Sequence, residues 1–497
     1  MSTVRDGTRQ VMAWLHGWTG LLLGWVLFVM CLAGTLSVFK PEIGEWMRPE
    51  ATATADPAEA IAAAGRWLTR NAPDSTGWYF AAPDARMNTV EAAYDTGGAF
   101  LARALDPVTG APVARETLGG EFFYRLHFEL ELPFPWGRLL ASLAAAVMLT
   151  ALVTGIIAHR RIFRDFFTFR TRKGQRSWLD GHNALGVLAL PFHLMITFTG
   201  LVTLGSLSMP WGITAAYGDD VAPMYAEMIP GITQRAATGA RAPLAPLAPM
   251  LREAQRRFDG GAIGRVYVLN PGDAGAVVTV FRAESDAIGY TPAEISFDGV
   301  TGKVLAQWTE ARPAIQTYNV LYGLHMGRFA PSLTRWLYFL GGAMLTLAIA
   351  SGLVQWIVKR RERAPLSLAN RILERLNAGV LAGVPLGCVA YLLANRLLPL
   401  GMADRSATEV SIALWTAAAA LLVGAVLRPA LAWPLLLGLV AIGSVVAPLL
   451  APWGQGAPVI VIGNLTLLAT AAAFAALAWR QVRPAPVAPA RRSRAPA

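Results

Sequence analysis

Cysteine, histidine and charge are all scarce in this 497-residue chain, and each shortage excludes something. The two cysteines, Cys31 and Cys388, both fall inside apolar runs, so they offer neither a disulfide framework nor a cysteine-based metal site. No C-x-x-C-H occurs, which excludes covalently attached haem. No G-x-G-x-x-G follows a strand-like run, and Walker and H-E-x-x-H sequences are absent, so there is no recognisable nicotinamide, ATP or zincin site. Charged residues make up 15% of the chain against 54% hydrophobic ones, a balance that excludes an ordinary soluble protein and reads as a multi-span membrane protein.

What is present is a series of apolar runs long enough to cross a bilayer, each about 20 residues. They lie near 14–38, 138–158, 183–207 and 333–358, followed by 376–398, 409–427, 431–451 and 459–479. The net charge of +11 raises nucleic acid as a partner, but its distribution argues for membrane lipid and no nucleic acid. Basic residues crowd into segments that alternate with spans: 160–176, KRRER at 359–363, Arg428 and RRSR at 491–494. The positive-inside rule places these segments, with Arg5 and Arg9 at the N-terminus, in the cytoplasm. Loops 39–125 and 208–325 then lie outside and both termini inside, with a bacterial inner membrane as the simplest setting. The first run is longer and more polar than a cleaved signal peptide and lacks a nearby A-x-A site, so it reads as a retained anchor.

Two stretches align with two others. HGWTGLLLGWVLFVMCLAG at 16–34 lies on HNALGVLALPFHLMITFTG at 182–200, setting His16 on His182, Gly20 on Gly186 and Gly34 on Gly200. YRLHFEL at 124–130 lies on YGLHMGR at 322–328, setting His127 on His325. Apolar runs ending in TGIIAHRR at 154–161 and SGLVQWIVKRR at 351–361 follow. The chain therefore reads as an internal duplication of span, loop module, span. All six histidines (His16, His127, His159, His182, His193 and His325) sit in or beside these four spans. Histidine is costly in a bilayer, so six in or beside duplicated spans are a functional signal.

The outer loops repeat an order as well. Helical stretches at 56–70 and 246–258 each precede short β-type runs: TGWYFAA, NTVEAAY and AFLARAL in the first, GRVYVLN, AVVTVFR and AEISFD in the second. They end in LDPVTGAPV at 105–113 and FDGVTGKVL at 297–305, where Asp and Thr-Gly are turn chemistry. The D-x-x-T-G turn closing each helix-plus-strands module resembles a PepSY domain. LHGWTGLLLGW, LHFEL, WLDGHNALGVLALPFHLMITFTG and YGLHMGRFA resemble the PepSY-associated transmembrane family over roughly residues 10–363. The resemblance implies an α-helical integral membrane protein of about eight spans with two small extracytoplasmic α+β modules. It also implies b-type haem and an activity like that of inner-membrane ferric-siderophore reductases. The expected organisation is a first span over 10–39, a module over 40–125, a second span over 126–160 and a basic loop over 161–177. A third span over 178–207, a second module over 208–322 and a fourth span over 323–360 follow. Four further helices occupy 366–480, outside the resemblance and without histidine, before a basic tail over 481–497.

Neutral imidazole is a good axial ligand for haem iron, and two from different helices make a six-coordinate electron-transfer site. On a straight helix, His182 and His193 face the same way about 16 Å apart, spacing that serves two haems stacked across a membrane. His16, His159 and His182 lie near the cytoplasmic boundary, His127 and His325 at the outer one, and His193 nearer the middle. The duplication favours His16 with His182 and His127 with His325. His159 and His193, whose repeat mates are Trp356 and Leu27, leave other pairings and a third haem open. Arg160, Arg161 and Arg164 read as topology signals, with haem propionates as a second role, and the tryptophans as an interfacial belt. The expected protein carries two haem b, takes electrons from a quinol or a cytoplasmic reductase, and reduces an extracytoplasmic acceptor, with ferric siderophore supplied by the resemblance. The rivals are a divalent-metal site on the same histidines, a non-enzymatic protein that binds periplasmic partners, and a metal permease.

Overall fold

Apolar composition dictates helices, and in the computed structural model most of the chain is helical; residues 2–95, 100–159, 170, 175–228, 233–290, 293–361, 367–453 and 458–482 are described. Six helices among these are long and apolar enough to cross a membrane, or up to eight if each of two bent pairs is one span. The chain is thus built as a multi-pass membrane protein. The bent pairs are α1 (Ser2–Leu22) with α2 (Gly24–Ser37), and α7 (Gln175–Leu188) with α8 (Leu190–Thr203). They turn by 68° and 69°. Pro191, in the first turn of α8, lacks the N–H that would continue α7, which breaks the run at Ala189. In the first pair the break at Leu23 is followed by Gly24, the residue with least helix preference after proline.

The first unit, 1–365 with 398–408 and 452–461, holds these pairs and a β-sheet. Between α2 and the first strands run α3 (Lys40–Met47) and α4 (Pro57–Asn71). Asp56 caps α4, its Oδ1 accepting from the amides of Ala58 and Glu59. Strands β1 (Gly77–Ala81), β2 (Val90–Asp95) and β3 (Phe100–Leu105) follow. Then come α5 (Glu121–Phe128) and α6 (Trp136–Ala158), the latter preceding α7 and α8 in the chain. Short helices α9 (Gly205–Ser208), α10 (Trp211–Tyr217) and α11 (Ala222–Met228) lead to α12 (Leu247–Arg257). Strands β4 (Ile263–Leu269), β5 (Val277–Arg282), β6 (Ala293–Asp298) and β7 (Val304–Thr309) precede α13 (Pro313–Met326) and α14 (Ser332–Arg361).

The two loop modules do not stand apart. Their strands form one antiparallel seven-stranded sheet, β3-β2-β1-β4-β5-β6-β7, joined where Trp78 faces Val268 and Phe80 faces Val266. Side chains alternate across a strand, and the inward set (Trp78, Phe80, Val266, Val268, Val278, Val280) packs under α4 and α12 as one core. The expected strands all appear. β7, absent from the reading of the sequence, is added because Val304 onward pairs with β6 beyond the turn. Asp106 and Asp298 each accept from two amides and a threonine hydroxyl in their turns.

Glu45 of α3 is buried, accepts from the Asn88 amide, and has its carboxyl pushed up to about 7, chiefly by burial. The ion pair with Arg235, with turn hydrogen bonds, holds Asp298 down to about 2.

The second unit, 366–397, 409–451 and 462–497, takes in most of α15 (Leu368–Leu397), α16 (Arg405–Val426), α17 (Pro429–Leu449) and α18 (Pro458–Val482). Gly379, Gly383 and Gly387 recur every fourth residue on α15, and a Cβ at each would crowd Leu421, Ala420 or Ala413 of α16. This is close packing by small residues, suited to lipid, where apolar area drives little. Asn395 donates to Glu409 at 2.9 Å, both buried.

Candidate histidine pairs of the bundle

The histidine-bearing helices pack in two matching sets. α1 lies on α6 as α7 lies on α14, and α2 lies on α5 as α8 lies on α13. His127 and His325 end α5 and α13, bringing their rings together with centroids 6.0 Å apart and planes 21° apart. This is the sheet-side pair. His16 of α1 and His182 of α7 make the far pair, with centroids also 6.0 Å apart but planes at 63°.

All four rings are tethered the same way. Nδ1 of His127 is 2.8 Å from the Met30 carbonyl, and Nδ1 of His325 is 3.0 Å from that of Ile196. Nδ1 of His16 and of His182 each lies 2.8 Å from a carbonyl, of Ala151 and Ala348 respectively. A carbonyl can only accept, so each Nδ1 carries the proton and donates it. In the neutral ring that leaves the lone pair on Nε2, the nitrogen free to bind a metal. Hydroxyls add to the tether on one member of each pair: Thr199 Oγ1 is 3.2 Å from His325 Nδ1, and Ser351 Oγ is 3.4 Å from His182 Nδ1.

Glycine makes the room. A Cβ on Gly34 would lie 2.7 Å from the His127 ring and one on Gly200 2.8 Å from the His325 ring. Gly155 and Gly352 stand likewise against His16 and His182, at 3.1 Å each. Gly20 and Gly186, one turn beyond His16 and His182, instead face open space, with nothing within 4 Å of a built Cβ.

This geometry fits haem. Two imidazole–metal bonds of about 2 Å, plus the inner half of each ring, span about 6 Å, and the observed separation is 6.0 Å in both pairs. Among the described residues there is no group of three or more histidine, cysteine or acidic side chains able to hold a metal ion. A pair gives an ion two ligands, which suits iron that brings its own in-plane nitrogens. The open space at Gly20 and Gly186 would admit a flat macrocycle edge.

The other two candidates fare differently. His159 closes α6 four residues after Gly155, the glycine that stands against His16, and so lies at the same end as the far pair. His193 is fully buried beside Phe192, its Nε2 3.3 Å from the Gly341 carbonyl and its Nδ1 without a hydrogen-bond partner among the described residues. Its tether therefore uses the opposite nitrogen from the four paired rings. The straight-helix spacing of His182 and His193 does not hold, because the 69° bend at Ala189 lies between them. Arg160, Arg161 and Arg164 lie outside the described residues. Arg360 was not singled out from the sequence, yet its guanidinium lies 5.4 and 4.0 Å from the ring centroids of Trp18 and Trp356, near His16 in the chain. Gly155 and Gly352 were also missed as ring neighbours. Their signal was the small-residue-then-glycine pair, Thr154-Gly155 and Ser351-Gly352, which recurs as Ala33-Gly34 and Thr199-Gly200.

A family model described as the PepSY-associated TM region matches residues 13–359, which takes in every helix and strand of this site. The chain is also similar to an uncharacterized protein of Pseudomonas aeruginosa, 29% identical over 390 residues, covering 73% of this chain and 95% of that one.

Proposed function

The chain belongs to the PepSY-associated TM family, and from that premise we propose that it is a transmembrane oxidoreductase of b-type cytochrome character. It would hold two haem b and reduce an extracytoplasmic acceptor, ferric siderophore iron, in iron acquisition. The observation that carries the reading is the double pair of histidines, each ring donating from Nδ1 to a carbonyl and facing a partner 6.0 Å away. His16 and His182 would hold one haem, His127 and His325 the other. Haem supplies a centre that takes and gives one electron without proton transfer. The protein's part is to fix the ring tautomers, hold the rings at bonding separation, and exclude water through apolar helices. The matching helix sets support an internal duplication, and the D-x-x-T-G turns support two PepSY-like modules that share a sheet. With the basic segments inside, the modules would face the periplasm, both termini the cytoplasm, and the donor would be a quinol or cytoplasmic reductase.

The test is a reduced-minus-oxidised spectrum of purified protein made under haem-replete conditions, with haem counted per chain. Two haems with sharp α-bands are expected. A folded, colourless preparation would overturn the reading.

A further inference from the structure

The sheet has a second face, opposite α4 and α12. Alternation puts Tyr79, Arg265, Tyr267 and Phe281 there, because their neighbours Trp78, Phe80, Val266 and Val280 fill the core. These side chains form an aromatic row that is exposed at its Phe100 end, half-buried at Tyr79 and Tyr267, and buried at Phe281. Phe100 of edge strand β3, 62% exposed, lies 5.7 Å by ring centroid from Tyr79, which lies 4.9 Å from Tyr267, which lies 4.8 Å from Phe281. The Arg265 guanidinium sits 5.4 Å from the Phe281 centroid and 4.7 Å from that of Tyr290, and donates to the Tyr290 hydroxyl at 2.8 Å. Tyr290 lies 4.5 Å by ring centroid from Tyr322 of α13, one turn before His325, with the two planes tilted by 44°.

The row thus runs from an exposed sheet edge to the turn that carries a histidine of the sheet-side pair. Its charge is uneven. Arg265 and exposed Arg328 both pair with one carboxylate, Glu284, at 3.2 and 2.8 Å, and the face's other acid opposite Phe281, Glu294, is buried, so the charge an incoming ligand meets is the exposed Arg328 guanidinium. Aromatic rings beside an exposed guanidinium recognise a ligand that is itself flat, aromatic and anionic, by ring contact and by cation–π and ionic contact.

We propose that this face is the docking site of the acceptor, and that the acceptor is an anionic ferric chelate of hydroxyaryl type, phenolate or catecholate, rather than an aliphatic hydroxamate. The inference rests on the reading of the protein as a reductase and adds to it the site and the ligand class. A hydroxyaryl chelate would lay a ring against Tyr79 and Tyr267 and bring its negative charge to Arg328. Its iron would then approach the sheet-side histidines along the Tyr290–Tyr322 pair.

Binding can be read without any electron transfer, using gallium(III), which is redox-inert, in place of iron. The probes are tris(2,3-dihydroxybenzoato)gallium(III) and a gallium trihydroxamate, titrated calorimetrically into the full-length protein in detergent. The hydroxyaryl complex is expected to bind at least tenfold more tightly than the trihydroxamate. Arg328→Gln and Tyr79→Leu should each weaken it at least tenfold and leave the trihydroxamate unchanged. Phe100→Ser, at an exposed position that folding tolerates, should weaken it severalfold. Equal affinity for the two probes, or hydroxyaryl binding untouched by all three substitutions, overturns the proposal. The haem spectrum of the same preparations is an independent readout: a coloured protein that ignores the hydroxyaryl probe sinks the docking site alone. A colourless one that binds it sinks the reductase reading and leaves the site standing.

Discussion

In the first half of the histidine-bearing bundle, His16 and His127 donate to Ala151 and Met30; in the second, His182 and His325 donate to Ala348 and Ile196. Glycine stands against each ring in both halves. Elsewhere the halves part company. Only the second has a buried histidine with the opposite tether, His193, where the first has Leu27. Only the second carries Arg265, Tyr290 and Arg328 around one carboxylate. The first buries Glu45, where the matching position of the second is Trp211, exposed. What recurs is the tether and the glycine at each ring. What does not recur makes the two halves unlike, a difference that the proposed electron carrier, with a distinct donor and acceptor, would use.

The largest way to break this comparison is at the ligands. His16→Ala or His182→Ala should abolish the low-spin signal of one haem, roughly half the total, and His127→Ala or His325→Ala the other half. Haem counted by pyridine haemochrome checks this, and four variants with unaltered spectra would end the assignment. His193→Leu, by contrast, should leave the count at two, since its tether differs from the rest.

Glycine substitutions sharpen the same point. Gly20→Phe and Gly186→Phe project into open space, so the protein should fold with normal yield yet bind less haem at the far pair. Gly34→Val drives a side chain into the His127 ring and should disturb the sheet-side pair instead. Separate bleaching of the two α-bands is the readout. If all three substitutions affect both haems alike, the spaces are not separate.

A smaller effect separates the modules. Gly110 and Gly302 both take positive φ, 73° and 69°, in equivalent turns. A Cβ on Gly110 would meet the Ala63 carbonyl at 2.2 Å, whereas one on Gly302 finds only Met250 at 3.8 Å. Gly302→Ala should cost about 1 kcal/mol from backbone strain alone. Gly110→Ala should cost about 3 kcal/mol or more, because α4 must also move. Urea denaturation followed by tryptophan emission measures both, and equal losses would contradict the difference.

A further effect is on pH. The Glu45 carboxyl titrates higher in the folded protein than in the unfolded chain. Its contribution is complete below about 4.5 and lost as pH rises through about 7. The first module should therefore lose about 2 kcal/mol between pH 5 and 8, and Glu45→Gln should flatten that slope. Asp298 works the other way: its contribution is present above the usual carboxylate range and lost only as pH falls through about 2. An alkaline slope that survives Glu45→Gln would show that another group carries it.

Much of this was legible in the sequence because it rests on composition and short-range order. Spans follow from runs of apolar residues, which lipid demands whatever surrounds them. The helix and strand stretches of both loops, and their Asp/Thr-Gly turns, follow from local periodicity and turn chemistry. The pairing of His16 with His182 and of His127 with His325 was favoured by repeat alignment alone, and the structure brings those rings together.

Tertiary structure decided what depends on residues far apart in the chain. Whether β1 and β4 join two modules into one sheet is a matter of which edges meet, and an edge strand reads the same with or without a partner. The nitrogen each histidine presents is set by a carbonyl on another helix, and a carbonyl leaves no mark in the sequence because every residue has one. The bend at Ala189, which overturns the straight-helix spacing of His182 and His193, and the bend at Leu23 rest on one proline and one glycine, residue types that α15 carries inside an unbroken helix. Composition and repeat order set which helices carry histidines and where along each helix they stand. Only the packing of α1 on α6, α7 on α14, α2 on α5 and α8 on α13 decided which of them face one another, because that choice is made by long-range contacts.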